Sequence, residues 1–329
     1  MLLITCWVVY LVSPKLKRKL NSQYAQLLFV RGISYVLPPV EMVVTGDEFC
    51  DGSQAIVIAN HQVDADWWYP WCLLRAYGQD AYAKFILKAD LGRMPLVGWG
   101  LKGLDFIMLR RDWQVDQKHL MQQLQVFVHD DTPLRLVIFP EGTTMNTTSL
   151  EKSTAFAQKQ GRPELKRLLL PRTTGFAACL DCLKDVPSGT VYDLTIAYEG
   201  YSGEVPTWEM GYERARDVTL PSMAKLMAAQ RCGRAHIHVA AHEMSAVAAA
   251  GGAEAWLDAA WARKDALLET FIKERRFPGE ARVVRVSQDA RVFFTAALAL
   301  PAAFVWAAVK VGGACAHALA VAQFGKRDA

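Results

Sequence analysis

From about residue 45 to residue 285, short apolar runs rich in β-branched residues alternate with segments of helical periodicity. That alternation is the strongest constraint on the fold. The runs at 55–60, 85–88, 104–110, 134–139, 167–170, 191–198 and 235–241 read as strands. Between them, 66–77, 113–129, 151–160 and 254–276 carry helical patterns. A chain that alternates in this way implies an α/β domain with a largely parallel central sheet flanked by helices. Ligands gather at the carboxyl ends of the strands in such sheets, so polar residues just past those ends carry the most weight.

The two ends have a different character. Met1 to Val12 is apolar and is followed by Lys15, Lys17, Arg18 and Lys19. It falls short of the roughly 20 residues a spanning helix needs and lacks the pattern of a secretory signal. It reads as an anchor that dips into or barely crosses the bilayer, with the basic cluster on the cytoplasmic side. Residues 23–42 suit an interfacial helix or, equally, a core helix of the globular domain. Val292 to Val309 is uncharged, and with Val311 to Phe324 it reads as a C-terminal hydrophobic helical segment. The expected division is therefore membrane-associating helices over 1–42, a catalytic domain over 43–285 and a membrane segment over 286–329.

Composition agrees with a globular domain carrying membrane-attached ends, since 52% of residues are apolar and the mean hydropathy is +0.09. A net charge of +4 is too small to argue for nucleic acid but suits an anionic membrane surface. Seven scattered cysteines give no disulfide framework, and the catalytic part is expected to face a reducing compartment. The Cys179–Cys182 pair has no second pair to complete a zinc site and reads as two packed thiols. His236 and His238 share a strand face but lack a third ligand nearby, so no metal is expected. In the aromatic run, Trp67 suits the core, whereas Trp68, Tyr69 and Trp71 suit a bilayer interface.

Four polar motifs follow strand-like runs. After Ala55–Ala59, Asn60-His61 is followed by Asp66, which falls in the first turns of the next helix. An imidazole there can take a proton from a hydroxyl while the carboxylate fixes its tautomer. With no serine or cysteine nucleophile adjoining, the pair suggests a base that activates the substrate's own hydroxyl. Next, Phe106 to Leu109 delivers Arg110 and Arg111, either a bidentate phosphate clamp or partners of surface acids. The run Leu136–Phe139 then ends in Pro140-Glu141-Gly142-Thr143, a sharp turn that fixes Glu141 near whatever it faces, or an ordinary turn with an exposed acid. Last, Leu168–Leu170 ends at Pro171-Arg172-Thr173-Thr174-Gly175, which opens a helix. Its free N–H groups attract anions, or Thr173 or Thr174 caps them.

The order NHX4D, F-x-x-x-R, FPEGT and a proline-terminated apolar strand resembles the PlsC-type glycerolipid acyltransferases over about residues 20–285. The wording of the motifs, with Tyr192 to Tyr198 and His236 to Val239, is similar to one branch, the lysocardiolipin and lysophosphatidylinositol acyltransferases. The resemblance implies a glycerol-3-phosphate acyltransferase-like fold and transfer of a fatty acyl chain from acyl-CoA to the sn-2 hydroxyl of a lysophospholipid. His61 would be the general base and Asp66 its orienting partner. Arg110 and Arg111 would bind the acceptor's phosphate, Glu141, Gly142 and Thr143 would shape its site, and Pro171 and Arg172 would lie against acyl-CoA. Acyl-CoA is then a co-substrate and no cofactor is expected. The expected setting is the membrane of the endoplasmic reticulum, with the catalytic domain facing the cytoplasm. Thr144 stands where the family's third motif often has an arginine, which favours a phosphodiester head group over a bare phosphomonoester. The same dyad would also serve a CoA-independent transacylase or a lipid hydrolase, and a non-catalytic lipid-binding scaffold is the remaining alternative.

Overall fold

The computed structural model describes residues 13–20, 26–50, 54–94, 97–110, 112–205, 207–208, 211–212, 220–230 and 232–286. Its elements run α1 (Pro14–Leu20), α2 (Gln26–Val36), β1 (Val40–Gly46), β2 (Gln54–Ala59), α3 (Trp68–Ala76), β3 (Ala83–Lys88), α4 (Val97–Gly103) and β4 (Ile107–Leu109). There follow α5 (Trp113–His129), β5 (Leu134–Ile138), α6 (Thr147–Gln160), α7 (Thr173–Leu183), β6 (Thr190–Tyr198), β7 (Thr207–Trp208) and β8 (Gly211–Tyr212). The chain continues through α8 (Met223–Met227), β9 (Ala235–Glu243), α9 (Met244–Ala249), α10 (Ala253–Glu274) and β10 (Arg282–Val286). One eight-stranded sheet has the order β10-β1-β9-β6-β2-β5-β3-β4, and β7 and β8 form a separate hairpin. In the large sheet β1–β10 and β6–β9 are antiparallel and the other five pairings are parallel.

The centre of the sheet lies where the sequence is most continuously apolar. All six residues of β2 and all five of β5 are buried, as expected for parallel strands covered on both faces. Even Arg135 inside β5 is buried, its guanidinium donating to Gln79 Oε1 at 2.6 Å and to the Leu134 carbonyl at 3.1 Å. The covering helices follow from their caps and spacing. In α5, Asp112 accepts the Gln114 N–H, and Leu120, Leu124 and Phe127 line one buried stripe. In α6 an Asn146/Ser149 capping box starts the helix, and Gly161, at φ 62°, ends it.

Several expectations change. The run 167–170 forms no strand: the chain bends through 166–168, and side chains take most of its N–H groups. Lys166 and Arg167 donate to Asp265, Leu169 to Glu141 and Leu170 to Ser153. The strand expected over 104–110 shrinks to Ile107–Leu109, and the helix expected from 66 begins at Trp68. Asp66 therefore sits in the turn ahead of the helix. Trp68, Tyr69 and Trp71 are core residues and Trp67 is only partly buried, the reverse of the expected assignment. The strands β1 and β10 were not anticipated, and β1 begins at Val40, ahead of the boundary expected at residue 42.

The helix α2 packs on the domain through buried Gln26 and Ser34 while Phe29 and Tyr35 are exposed. Gln26 Nε2 donates to the carbonyls of Asp80 and Ala83, and Lys17 and Arg18 of α1 pair with Asp105 and Asp130. No helix among the described residues is long and apolar enough to cross a membrane. The expected anchor over Met1 to Val12 and the hydrophobic segment beyond residue 286 lie outside the described residues.

Candidate active site

The carboxyl ends of β2, β5 and β6 meet at one corner, and three of the four motifs meet there. Asn60 sets the geometry. Its buried amide accepts the Ile196 N–H at 2.7 Å and donates to the Ile196 carbonyl at 2.9 Å, carrying the β2–β6 pairing one residue past the strand. His61 follows immediately, where the chain turns away. Its N–H donates to Glu141 Oε1 at 3.0 Å, and its carbonyl accepts the Met145 N–H at 3.1 Å. Both backbone groups of His61 are thus held by the segment after β5, and its ring stacks on Phe139 with centroids 4.5 Å apart.

The turn between His61 and α3 brings Asp66 back beneath the imidazole. Asp66 Oδ2 lies 3.0 Å from His61 Nδ1 and accepts the N–H groups of Gln62 and Val63, while Oδ1 accepts the Tyr198 hydroxyl. The carboxylate is 1% exposed and the His61 side chain 20%. Buried carboxylate and partly open imidazole leave Nε2 as the ring nitrogen available to a hydroxyl.

Glu141 does not point outward. It lies 2% exposed at the corner of a β-turn closed by the Gly142 N–H and the Phe139 carbonyl at 2.9 Å, with Pro140 and Gly142 where such turns favour them. Its second oxygen accepts the Leu169 N–H at 3.3 Å, so one carboxyl group bridges the second strand exit and the segment before Pro171. Burial pushes this carboxyl up to about 8, against the two N–H donors that favour its charge, and the nearby Asp66 adds to the rise.

Arg172 closes the corner from the other side. Its N–H donates to the Pro140 carbonyl at 2.9 Å, and its exposed side chain lies against Gly142. A methyl on Gly142, whose φ is +73°, would meet Arg172 Nε at 3.2 Å. Pro171 is buried and its carbonyl accepts Arg162 Nη2, itself paired with Asp258 of α10. Arg172 is the N-terminal residue flanking α7 and no side chain caps that helix, while Thr173 Oγ1 donates to Glu254. Thr143 is half-buried on the same turn.

The second motif stands apart. Arg110 is exposed at the end of β4, at the sheet edge, and its N–H donates to Asp116 Oδ1 at 2.9 Å. No hydrogen bond joins it to His61, Asp66 or Glu141 among the described residues, and Arg111 lies outside them. Sequence reasoning assigned no role to Asn60 or Tyr198. The signal for Tyr198 was the strand alternation of Leu194, Ile196 and Tyr198, which puts them on one face. The strand histidines have ordinary contacts, His236 against Phe271 and His238 Nδ1 2.9 Å from Thr45 Oγ1. Cys179 is buried and Cys182 half-buried on α7, and burial pushes both thiols up.

The comparisons fall on the same region. The family described as Acyltransferase matches residues 41–199, and the one described as Acyltransferase C-terminus matches residues 225–298. The chain is 33% identical over 246 residues to lysocardiolipin acyltransferase 1 of Danio rerio, covering 74% of this chain and 59% of the relative. It is 28% identical over 299 residues to a probable 1-acyl-sn-glycerol-3-phosphate acyltransferase 5 of Arabidopsis thaliana, covering 88% and 75%. It is 30% identical over 258 residues to lysophosphatidylinositol acyltransferase 10 of Caenorhabditis elegans, covering 76% and 62%. The chain thus spans less than two thirds of the fish and nematode relatives.

Proposed function

The chain belongs to the PlsC-type glycerolipid acyltransferase family, and from that premise we propose that it moves a fatty acyl chain from acyl-CoA to the sn-2 hydroxyl of a lysophospholipid. The observation that carries this reading is His61 Nδ1 held 3.0 Å from the buried Asp66 carboxylate, with the ring partly open to solvent. Nε2 takes the hydroxyl proton as the oxygen attacks the thioester carbonyl. The new C–O bond forms, the C–S bond breaks, and the imidazolium returns its proton to the departing thiolate. No acyl-enzyme is required. Buried Asp66 stabilises the imidazolium between the two transfers.

The acceptor carries a phosphate, and exposed Arg110, with Arg111 next to it in the sequence, suits its oxygens, while Pro171 and exposed Arg172 suit acyl-CoA. Gly142 and Thr143 follow Glu141, whose carboxyl holds the His61 N–H, and suit the acceptor's site. Thr144 in place of a further cation favours a phosphodiester head group, in keeping with relatives named for lysocardiolipin and lysophosphatidylinositol. Both substrates hold acyl chains, so the working enzyme sits at a membrane, for which the endoplasmic reticulum with the domain on its cytoplasmic side is the proposed place. Exposed Phe29 and Tyr35 of α2 suit that surface.

The test is transfer from labelled acyl-CoA to a panel of lysophosphatidic acid, lysophosphatidylinositol, lysophosphatidylglycerol and monolysocardiolipin. His61→Ala should lower the rate by roughly a hundred- to ten-thousand-fold, and Asp66→Asn by a comparable factor. Near-normal turnover in either variant would sink the mechanism. Acyl transfer that persists with phospholipid donor and no acyl-CoA would replace it with a transacylase.

A further inference from the structure

Asp66 is held by two sets of donors that come from different parts of the chain. The donors of its own loop, the Gln62 and Val63 N–H groups and His61 Nδ1, converge on Oδ2. Among the described residues, Oδ1 is met by the hydroxyl of Tyr198, which is 132 positions away at the end of β6. The loop donors leave Oδ1 to be satisfied from outside the loop, and a buried carboxylate engaged at both oxygens is held more tightly than one held by its own loop alone.

We propose that Tyr198 is a positioning residue of the active site, whose hydroxyl holds the Asp66 carboxylate from the side its own loop leaves open and so steadies the aim of the His61 imidazole. The proposal rests on the acyl-transfer reading for its kinetic consequence. Three observations support it. Tyr198 is fully buried, so its O–H has no bulk water to turn to and its bond to a 1%-exposed carboxylate is charge-assisted. The Asn60–Ile196 clasp holds the end of β6 against the exit of β2 two residues before Tyr198, which fixes the height of the phenol relative to the His61 loop. The ring of Tyr69 of α3 lies with its centroid 5.2 Å from that of Tyr198, so the phenol is packed against another aromatic ring. Burial, with the thiols of Cys232 and Cys72 and the Asp66 charge nearby, pushes the Tyr69 phenol well up, so it stays neutral beside the dyad.

The test compares Tyr198→Phe with Tyr69→Phe, each removing one buried hydroxyl from the same aromatic pair, in the full chain reconstituted in phospholipid vesicles. Tyr198→Phe should lower kcat about tenfold, the size of one hydrogen bond to a charged group, with KM for both substrates changed less than about twofold. Tyr69→Phe should leave kcat and KM as they are. Unchanged kcat in Tyr198→Phe, or equal losses in the two variants, would overturn the proposal. A second readout does not depend on turnover. The downfield proton resonance of Nδ1–H against Asp66, identified by its loss in His61→Ala, should shift in Tyr198→Phe and hold in Tyr69→Phe. An unmoved resonance overturns the positioning role even if the chain transfers no acyl group. Failure of the unmodified chain to transfer acyl-CoA, with the resonance shifted as expected, overturns the acyl-transfer reading alone.

Discussion

The carboxyl edge of the sheet is built in two ways. At the corner of β2, β5 and β6, the polar side chains are buried and spent on backbone. Asn60 is clasped to Ile196, Glu141 to His61 and Leu169, and Asp66 to its own loop and to Tyr198. At the β4 end of the same edge, Arg110 is exposed and, among the described residues, it is held through its N–H by buried Asp116. On the proposed reading, the difference separates two jobs. A base must be held to a fraction of an ångström, which requires burial and paired donors. A cation that meets a lipid head group arriving from the membrane surface can stay long, flexible and wet.

The sharpest way to break this division is Glu141→Ala. The residue lies under the loop and its carboxyl holds the His61 N–H, so the loss should appear in kcat, about a hundredfold, rather than in KM. A rise in KM alone would move Glu141 into the acceptor site. The same carboxyl also sets a pH dependence of stability. Its unfolded value is near 4.5 and burial raises the folded one to about 8, so the native state keeps a proton that the unfolded state loses. Its contribution is complete below the lower value and is lost as pH rises through the upper one. Thermal midpoints measured from about pH 5 to 8 should therefore fall in the unmodified chain relative to Glu141→Gln, which has no such proton to lose. Parallel curves would show that the carboxyl ionises in place.

How much of this was legible in the sequence depends on whether the relevant partners are local. His61 and Asp66 are five positions apart on one turn, so the dyad could be read directly, although the start of the helix could not. Glu141 was visible as a residue held by Pro140 and Gly142, but the direction of the turn was not. A carboxyl between proline and glycine reads as exposed until the His61 and Leu169 N–H groups are seen to meet it. The run 167–170 has strand composition, yet Asp265, Glu141 and Ser153 accept the N–H groups of Arg167, Leu169 and Leu170, and those contacts span 17 to 98 positions. Tyr198 was hidden for the same reason. The core strands β2, β5 and β6 were legible because burial on both faces imposes a continuous apolar composition, whereas β1 and half-exposed β10 lack that imprint.

A smaller effect sharpens the other side of the comparison. Arg110→Ala should raise KM for an anionic lysophospholipid up to about tenfold, with kcat within about twofold, because it removes attraction without disturbing the base. The loss should shrink as salt is added, since an exposed charge is screened within about 10 Å at 0.1 M ionic strength. A fall in kcat that is insensitive to salt would place Arg110 against the reacting atoms and dissolve the division drawn here.

The smallest expected effect lies where the two kinds of construction touch. Gly142 is on the buried turn, but the side chain over it is the exposed Arg172. Gly142→Ala imposes a left-handed conformation on a residue with a Cβ, at a cost of about 1–2 kcal/mol, and crowds Arg172 Nε, which is free to swing outward. The turn should survive because the Gly142 N–H still closes it onto the Phe139 carbonyl and Glu141 still holds His61. The variant should therefore lose a few degrees of thermal stability, keep kcat within severalfold, and bind acyl-CoA or lysophospholipid more weakly as Arg172 is displaced. If kcat falls as far as in Glu141→Ala, the turn carries strain directly to His61, and the exposed rim is as much a part of positioning as the buried corner.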